Sequence, residues 1–151
     1  MKATELLKRQ HREVKRLFGQ AIGATVGERR RVMNEITEKL TAHMMIEEEI
    51  FYPAVREIGT KKAEEMIPEA YEEHHVVKLV LGELPKVDLD DDRFEAKVTV
   101  LAELIDHHVK EEENEMFGLA EKLGAERLNG LGTEMEVSAH EEPAAGVRTR
   151  R

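Results

Sequence analysis

The sequence predicts an all-α protein folded as an up-down-up-down four-helix bundle, and three observations carry that prediction. The composition is 36% charged and only 4% aromatic, without tryptophan. Such a mixture, rich in Glu, Lys, Leu and Ala, favours helices over a β-sandwich or barrel. Apolar residues recur at helical spacing along four stretches, and the short connections between these stretches make consecutive helices antiparallel neighbours.

The first helix is expected over residues 4–22, with Leu7, His11, Val14 and Phe18 on one stripe, before a glycine-bounded turn at 23–27. The second spans about residues 28–58 and carries Met33, Ile36, Leu40, His43, Glu47, Ile50 and Phe51. Pro53 should kink it near its end, and Gly59 suits its C-terminal cap. Thr60 can cap the third helix, and Pro68 either kinks that helix or opens its main part. Its stripe is Met66, Ala70, His74, Val77, Leu81 and Leu84, closed by Pro85. The fourth begins in the acidic run at 88–92, which suits a helix N-terminus. It carries Phe94, Val98, Leu101, Ile105, His108, Glu112, Met116 and Leu119, and ends near Gly124. Residues 1–129 thus form the bundle. Residues 130–151, with three glycines, one proline and few apolar side chains, read as a flexible C-terminal tail.

A chain of 151 residues fits one domain with a core of its own. Cysteine is absent, which excludes disulfides, thiolate metal sites, iron–sulfur clusters and a catalytic thiol. No apolar run is long enough to span a bilayer, and the first residues lack a signal-peptide hydrophobic region, so a cytoplasmic protein without a membrane partner is expected. The net charge of −9 argues against a nucleic-acid partner, whose signature would be a basic face.

The chemistry lies where polar residues interrupt the apolar stripes. At about 100° per residue, His11 falls between Leu7 and Val14 on the inward face of the first helix. His43 and Glu47 lie about 40° from each other, in line with Ile36, Leu40 and Ile50. His74 falls among Ala70, Val77 and Leu81. His108 and Glu112 repeat the His-x3-Glu spacing beside Leu101, Ile105 and Met116. Every helix contributes an inward imidazole, and two add an inward carboxylate. An ionised Glu in an apolar core costs several kcal/mol unless it is paired or bound to a cation. No inward Lys or Arg offers itself, whereas two carboxylates and four neutral imidazoles are good ligands for divalent iron, manganese or zinc.

Each residue alone has a plainer explanation. A lone His on an apolar stripe is usually a satisfied core residue, and a boundary Glu usually snorkels to solvent. Four helices doing this together, with one spacing used twice, outweigh that explanation. His107, His75 and His140 keep it, since the first two point off their stripes and His140 lies in the tail. The neighbours of Glu47 and Glu112 in the two acidic runs read as solvated, or as guides for incoming cations. Tyr52 reads as a bundle-surface residue, while Tyr71 is evenly balanced between surface and site.

The segments L40-T-A-H-M-M-I-E-E-E-I-F-Y-P53 and L104-I-D-H-H-V-K-E-E-E-N-E-M-F117 resemble the two His-x3-Glu-Glu signatures of the hemerythrin-like HHE family. His11 and E72-E-H-H-V76 resemble that family's other two ligand positions. The resemblance covers residues 4–123. It implies a carboxylate- and oxo-bridged pair of iron ions held by His11, His43, Glu47, His74, His108 and Glu112, with Glu47 and Glu112 bridging. It further implies a small diatomic ligand or peroxide as partner, bound, sensed or chemically transformed. A sensor would also need a protein partner. The chain departs from the oxygen carriers of the family, which place a His-x3-His pair on the third helix, because the positions four away from His74 are Ala70 and Lys78. A seventh ligand is left open among Tyr71, Glu48, His75, Glu113, His107 and water. That opening favours redox chemistry or sensing over reversible oxygen carriage. The alternatives are a peroxide-decomposing or oxidase-like enzyme and a partner-binding bundle without iron. A ferritin-like protein fits poorly, since its Glu-x-x-His motif occurs only at Glu72–His75, off the core stripe.

Overall fold

The computed structural model describes the backbone of residues 1–149 and the side chains of residues 1–139. Its first helix, α1 (Ala3–Ile22), ends at Gly23. Thr25 and Glu28 form a reciprocal capping box that opens α2 (Val26–Ile46). This helix passes through a π turn (Glu47–Phe51) into α3 (Tyr52–Arg56). Gly59 then reverses the chain with φ +75°, a conformation that needs no strain only in glycine. The Thr60 hydroxyl accepts from the Ala63 amide and starts α4 (Lys61–Glu83), which runs through Pro68 and closes in a 3-10 turn, Leu84–Lys86. The Asp91 carboxylate caps α5 (Asp92–Glu111). A second π turn (Glu112–Met116) leads into α6 (Phe117–Ala120), a 3-10 turn (Glu121–Leu123), and then α7 (Ala125–Thr149).

The four expected helices are therefore present, and every described element is helical. Their stripes are buried as the periodicity requires, with Ile50, Met66, Ile105 and Leu119 only partly covered. No described helix is long and apolar enough to cross a membrane.

The C-terminal region differs from the tail expected after residue 129. Residues 125–149 form a helix, and Leu128, Leu131 and Met135 are buried against the same cluster as Leu7, Phe51 and Phe117. These three recur at helical spacing, a stripe obscured by two flanking glycines. Gly132 is not a breaker here. A Cβ at that position would run into the Met1 carbonyl oxygen, so glycine lets α7 lie directly against the start of α1. The expectation for His140 and the side chains of residues 140–151 lies outside the described residues.

The core is in two parts along the bundle axis. One cluster gathers Ala3, Leu7, Ile46, Phe51, Ile67, Phe117 and the α7 stripe. The other gathers Val14, Phe18, Ile36, Leu40, Val77, Leu81, Phe94 and Leu101. Between these two apolar clusters lies a layer of polar side chains.

Candidate metal centre

The six residues singled out from the spacing all lie in that layer. His11, His43, His74 and His108 are buried, and Glu47 and Glu112 are 0% and 1% exposed. In each His-x3-Glu pair the imidazole closes the α-helix and the carboxylate opens the π turn. The ring and carboxylate of a pair stand 3.2 Å apart, His43 Nε2 to Glu47 Oε2 and His108 Nε2 to Glu112 Oε2. Single π turns inside α-helices frequently mark functional sites.

The two carboxylates span two groups of imidazoles. Glu47 directs Oε2 to His43 and Oε1 to His74, the latter at 3.0 Å. Glu112 directs Oε1 to His11 at 3.0 Å and Oε2 to His108. Ligand atoms within 4.8 Å of one another thus form two groups, His11–His43–Glu47–Glu112 and Glu47–His74–His108, which share Glu47.

All four imidazoles are aimed the same way. Each turns Nε2 inward and has an oxygen acceptor at Nδ1. The acceptors are Glu113 for His11 at 2.7 Å, Gln10 for His43 at 2.6 Å, Glu48 for His74 at 2.7 Å and Glu73 for His108 at 2.5 Å. A hydrogen bond donated by Nδ1 leaves the lone pair on Nε2, the tautomer a metal needs, and fixes the ring plane. The arrangement has an internal two-fold logic. The residue before His11 or His74 (Gln10, Glu73) holds the histidine of the following His-x3-Glu pair. The residue after Glu47 or Glu112 (Glu48, Glu113) holds the single histidine.

Tyr52 is the main correction to the sequence reading. Rather than lying at the surface it is fully buried. Its hydroxyl lies 3.0 Å from Glu47 Oε1, 2.6 Å from Glu112 Oε2, and 3.2 Å from both His74 Nε2 and His108 Nε2. The π turn is the reason. In a regular helix, positions five apart diverge by about 140°, whereas an i→i+5 turn stacks them. Tyr52 is five residues after Glu47, and its amide donates to the Glu47 carbonyl. Phe117 holds the equivalent place after Glu112, with its ring stacked on His11 at 6.0 Å. The internal symmetry therefore sets a phenol against a phenyl ring.

The side chains left open as a seventh ligand stand outside this cluster of six. Glu48 and Glu113 hold imidazoles from outside, and Tyr71 donates to the Glu48 carbonyl at 2.8 Å. His75 is exposed, and His107 faces Glu73 and Glu111 on the outer side of α5.

The electrostatics match a cation site. His11 Nε2, Glu47 Oε2 and Glu112 Oε1 are fully buried and make no hydrogen bond despite their proximity. Buried polar atoms without partners are rare, and two carboxylates among them are costly unless a cation compensates. Burial works against the charged form of His11, yet the adjoining Glu112 and Glu47 hold its pKa at about 10. Burial likewise opposes ionisation of Glu47, but the charge of His43 and the hydrogen-bonding groups around it keep its carboxyl well below the usual range. Burial, then the charges of Glu47 and Glu112, pushes the Tyr52 phenol well above 10.0. A divalent ion would supply the positive charge that these carboxylates favour. The donor set of imidazole nitrogen and carboxylate oxygen fits iron, manganese or zinc.

Beside the imidazoles lies a small recess of about 10 Å³, lined by Val14, Leu40, Met44, Ile105 and Val109 together with the four histidines. That is room for about one water-sized molecule.

Fold and site together define a metal-binding helical bundle. A family model for the hemerythrin HHE cation-binding domain matches residues 2–120, and the chain belongs to that family. A solved relative is the hemerythrin HHE cation-binding domain-containing protein from Mycobacterium kansasii. It is 26% identical and superposes with a TM-score of 0.84 over 98% of this chain and 91% of that one. A curated relative described as a DNA nickase, from Nostoc sp., is 26% identical over 141 residues. The alignment takes in 91% of this chain but 39% of the relative, so the chain spans about two fifths of that protein's length.

Proposed function

We propose that the chain is a non-haem di-iron protein that binds, senses or reacts with O2, nitric oxide or peroxide. One observation carries this reading. Glu47 and Glu112 each offer one oxygen to the His11–His43 group and the other to the His74–His108 group, as carboxylates bridging two ions would. Iron bound there would supply the electrons for a reaction with the small ligand.

The chain's own residues would do the rest. The recess beside the histidines admits a small molecule and keeps bulk water away. The two apolar clusters above and below lower the local dielectric and strengthen every charge interaction within the layer. The Tyr52 hydroxyl, whose proton is firmly held, can donate a hydrogen bond at the His74–His108 side. That donor supports a second reading, an enzyme that decomposes peroxide or acts as an oxidase, since a fixed hydrogen-bond donor can orient and polarise an oxygen species at the centre. The ferritin-like alternative gains nothing, because Glu72 and His75 are both exposed.

The test is a metal count on protein purified without added metal, followed by a visible spectrum in air and assays with peroxide, O2 and nitric oxide. About two irons per chain with ferric charge-transfer bands supports the centre, and turnover separates the enzyme from the sensor. Less than about half a metal per chain after anaerobic reconstitution with ferrous iron overturns it.

A further inference from the structure

A pocket of about 100 Å³ opens between α4 and α5. Glu69, Glu73, Glu111 and Glu115 form its walls, and His108 and Glu112 lie at its inner end. Lys62 stands at the rim, paired with Glu115 at 2.9 Å. Glu73 and Glu111 of this wall and the exposed His107 beside them on α5 bring ligand atoms within 4.8 Å of one another. His107 Nε2 is 3.4 Å from Glu111 Oε2 and 3.7 Å from Glu73 Oε2. Two further observations single this cluster out from an ordinary solvated acidic face. Glu111 Oε2 is buried and makes no hydrogen bond, although its residue is partly exposed. The pocket also reaches His108 and Glu112, so it leads from this cluster to the buried centre.

We propose that Glu73, His107 and Glu111 form a transient divalent-cation site at the mouth of this pocket, through which metal reaches the buried centre. The recess of about 10 Å³ beside the histidines, lined by those imidazoles and five apolar side chains, has room for about one water and is too small for a hydrated cation. The acidic walls concentrate cations, and such focusing raises association rates by roughly 10- to 1,000-fold. An imidazole and two carboxylates can replace several waters of the ion's shell before it moves inward. Glu73 joins the two places, since its Oε2 faces His107 while its Oε1 accepts from His108 Nδ1. The first group met inside is therefore the His74–His108 half of the centre.

This inference rests on the metal reading of the buried layer, and the experiment separates the two. Metal-free full-length protein is mixed with cobalt(II), and the visible bands of bound cobalt give both rate and final stoichiometry. The H107A/E111Q double variant should reach the same final cobalt content and spectrum, with uptake slowed at least about tenfold and less dependent on salt. An unchanged rate overturns the port. A lower final content also overturns it, because those residues would then be holding the centre. No cobalt uptake by either protein means instead that the buried centre itself is misread. A second readout tests the site directly. With the centre filled by zinc, added manganese(II) should broaden the His107 ring resonances, and the E111Q variant should lose that broadening. Unbroadened His107 resonances in the zinc-filled parent protein overturn the cation site.

Discussion

The Tyr52 hydroxyl donates to Glu112 Oε2 at 2.6 Å, and so ties the residue after one π turn to the carboxylate that opens the other. This bond crosses the bundle inside a fully buried layer. Removing the donor leaves a buried carboxylate oxygen without its partner, a loss of about 1–3 kcal/mol. The Tyr52→Phe variant of the metal-free protein should therefore unfold at lower denaturant concentration with an unchanged slope. An unchanged midpoint would show that the hydroxyl does not serve Glu112.

The two halves of the centre should be separable. His43 belongs with His11 to one group of ligand atoms, and His108 with His74 to the other. His43→Ala should lower the metal count to about one per chain and leave the second ion, and His108→Ala should do the reverse. Metal analysis after desalting reads the difference. Complete loss in both variants would mean that the two positions fill only together.

The holding groups differ in charge between the halves. His43 donates to the neutral Gln10 amide oxygen, whereas His108 donates to the Glu73 carboxylate. A carboxylate partner makes an imidazole a more basic ligand, and loss of such a partner typically costs about 10- to 100-fold in metal affinity. The His74–His108 half should fill first in a titration with zinc or cobalt. Glu73→Gln should weaken that step by a factor in this range, and Gln10→Glu should tighten the other. Equal and unaltered affinities in both variants would show that the charge of the Nδ1 partner does not tune these imidazoles.

How far the sequence revealed this arrangement can be argued from Glu47 and Tyr52. The His-x3-Glu pairs were legible because the imidazole precedes the π turn and the carboxylate is its first residue, so regular helical angles still apply between them. Tyr52 follows the turn, and nothing in periodicity alone announces an inserted residue. A usable signal was present, however. Phe51 and Tyr52 are adjacent large aromatics beside the acidic run at 47–49, and such a pair, about 100° apart on a regular helix, marks a wide buried face there. The α7 stripe was hidden for a different reason, since Gly130 and Gly132 mimic a loop until the close approach to Met1 is known. The pairing of Gln10 with His43 and of Glu73 with His108 depends on how helices abut, which spacing within one helix does not encode.

Proton linkage follows from the metal-free electrostatics. Burial opposes it, but Glu112 and Glu47 raise the His11 pKa from 6.5 to about 10. Its stabilising contribution is therefore complete below pH 6.5 and lost as pH rises through about 10. Glu47 runs the other way. Despite burial, His43 and its other neighbours hold it well below 4.5, so its contribution is present above pH 4.5 and lost as pH falls through the folded value. A cation must displace the proton from His11. Metal uptake at neutral pH should release protons, and affinity should rise with pH until His11 is neutral. Titration calorimetry in buffers of different ionisation enthalpy measures this, and proton-neutral binding would contradict it.

The docking of α7 gives a prediction about stability that is independent of metal. Leu128 is 0% exposed and shares a cluster with Phe51 and Phe117, the aromatic residues beside the two π turns. Leu128→Ala removes buried methyl groups and leaves a cavity, at a cost of about 2–5 kcal/mol. Gly132→Ala should destabilise by a different route, because the added methyl collides with the backbone of Met1 and pushes α7 away from α1. Thermal melts followed by circular dichroism read both. If the region were a loose tail, each substitution would shift the midpoint by little or nothing. If α7 is an integral part of the bundle, both variants should melt lower. The exposed Val137→Ala, on the same helix at 52% exposure, should be close to neutral and serves as the control.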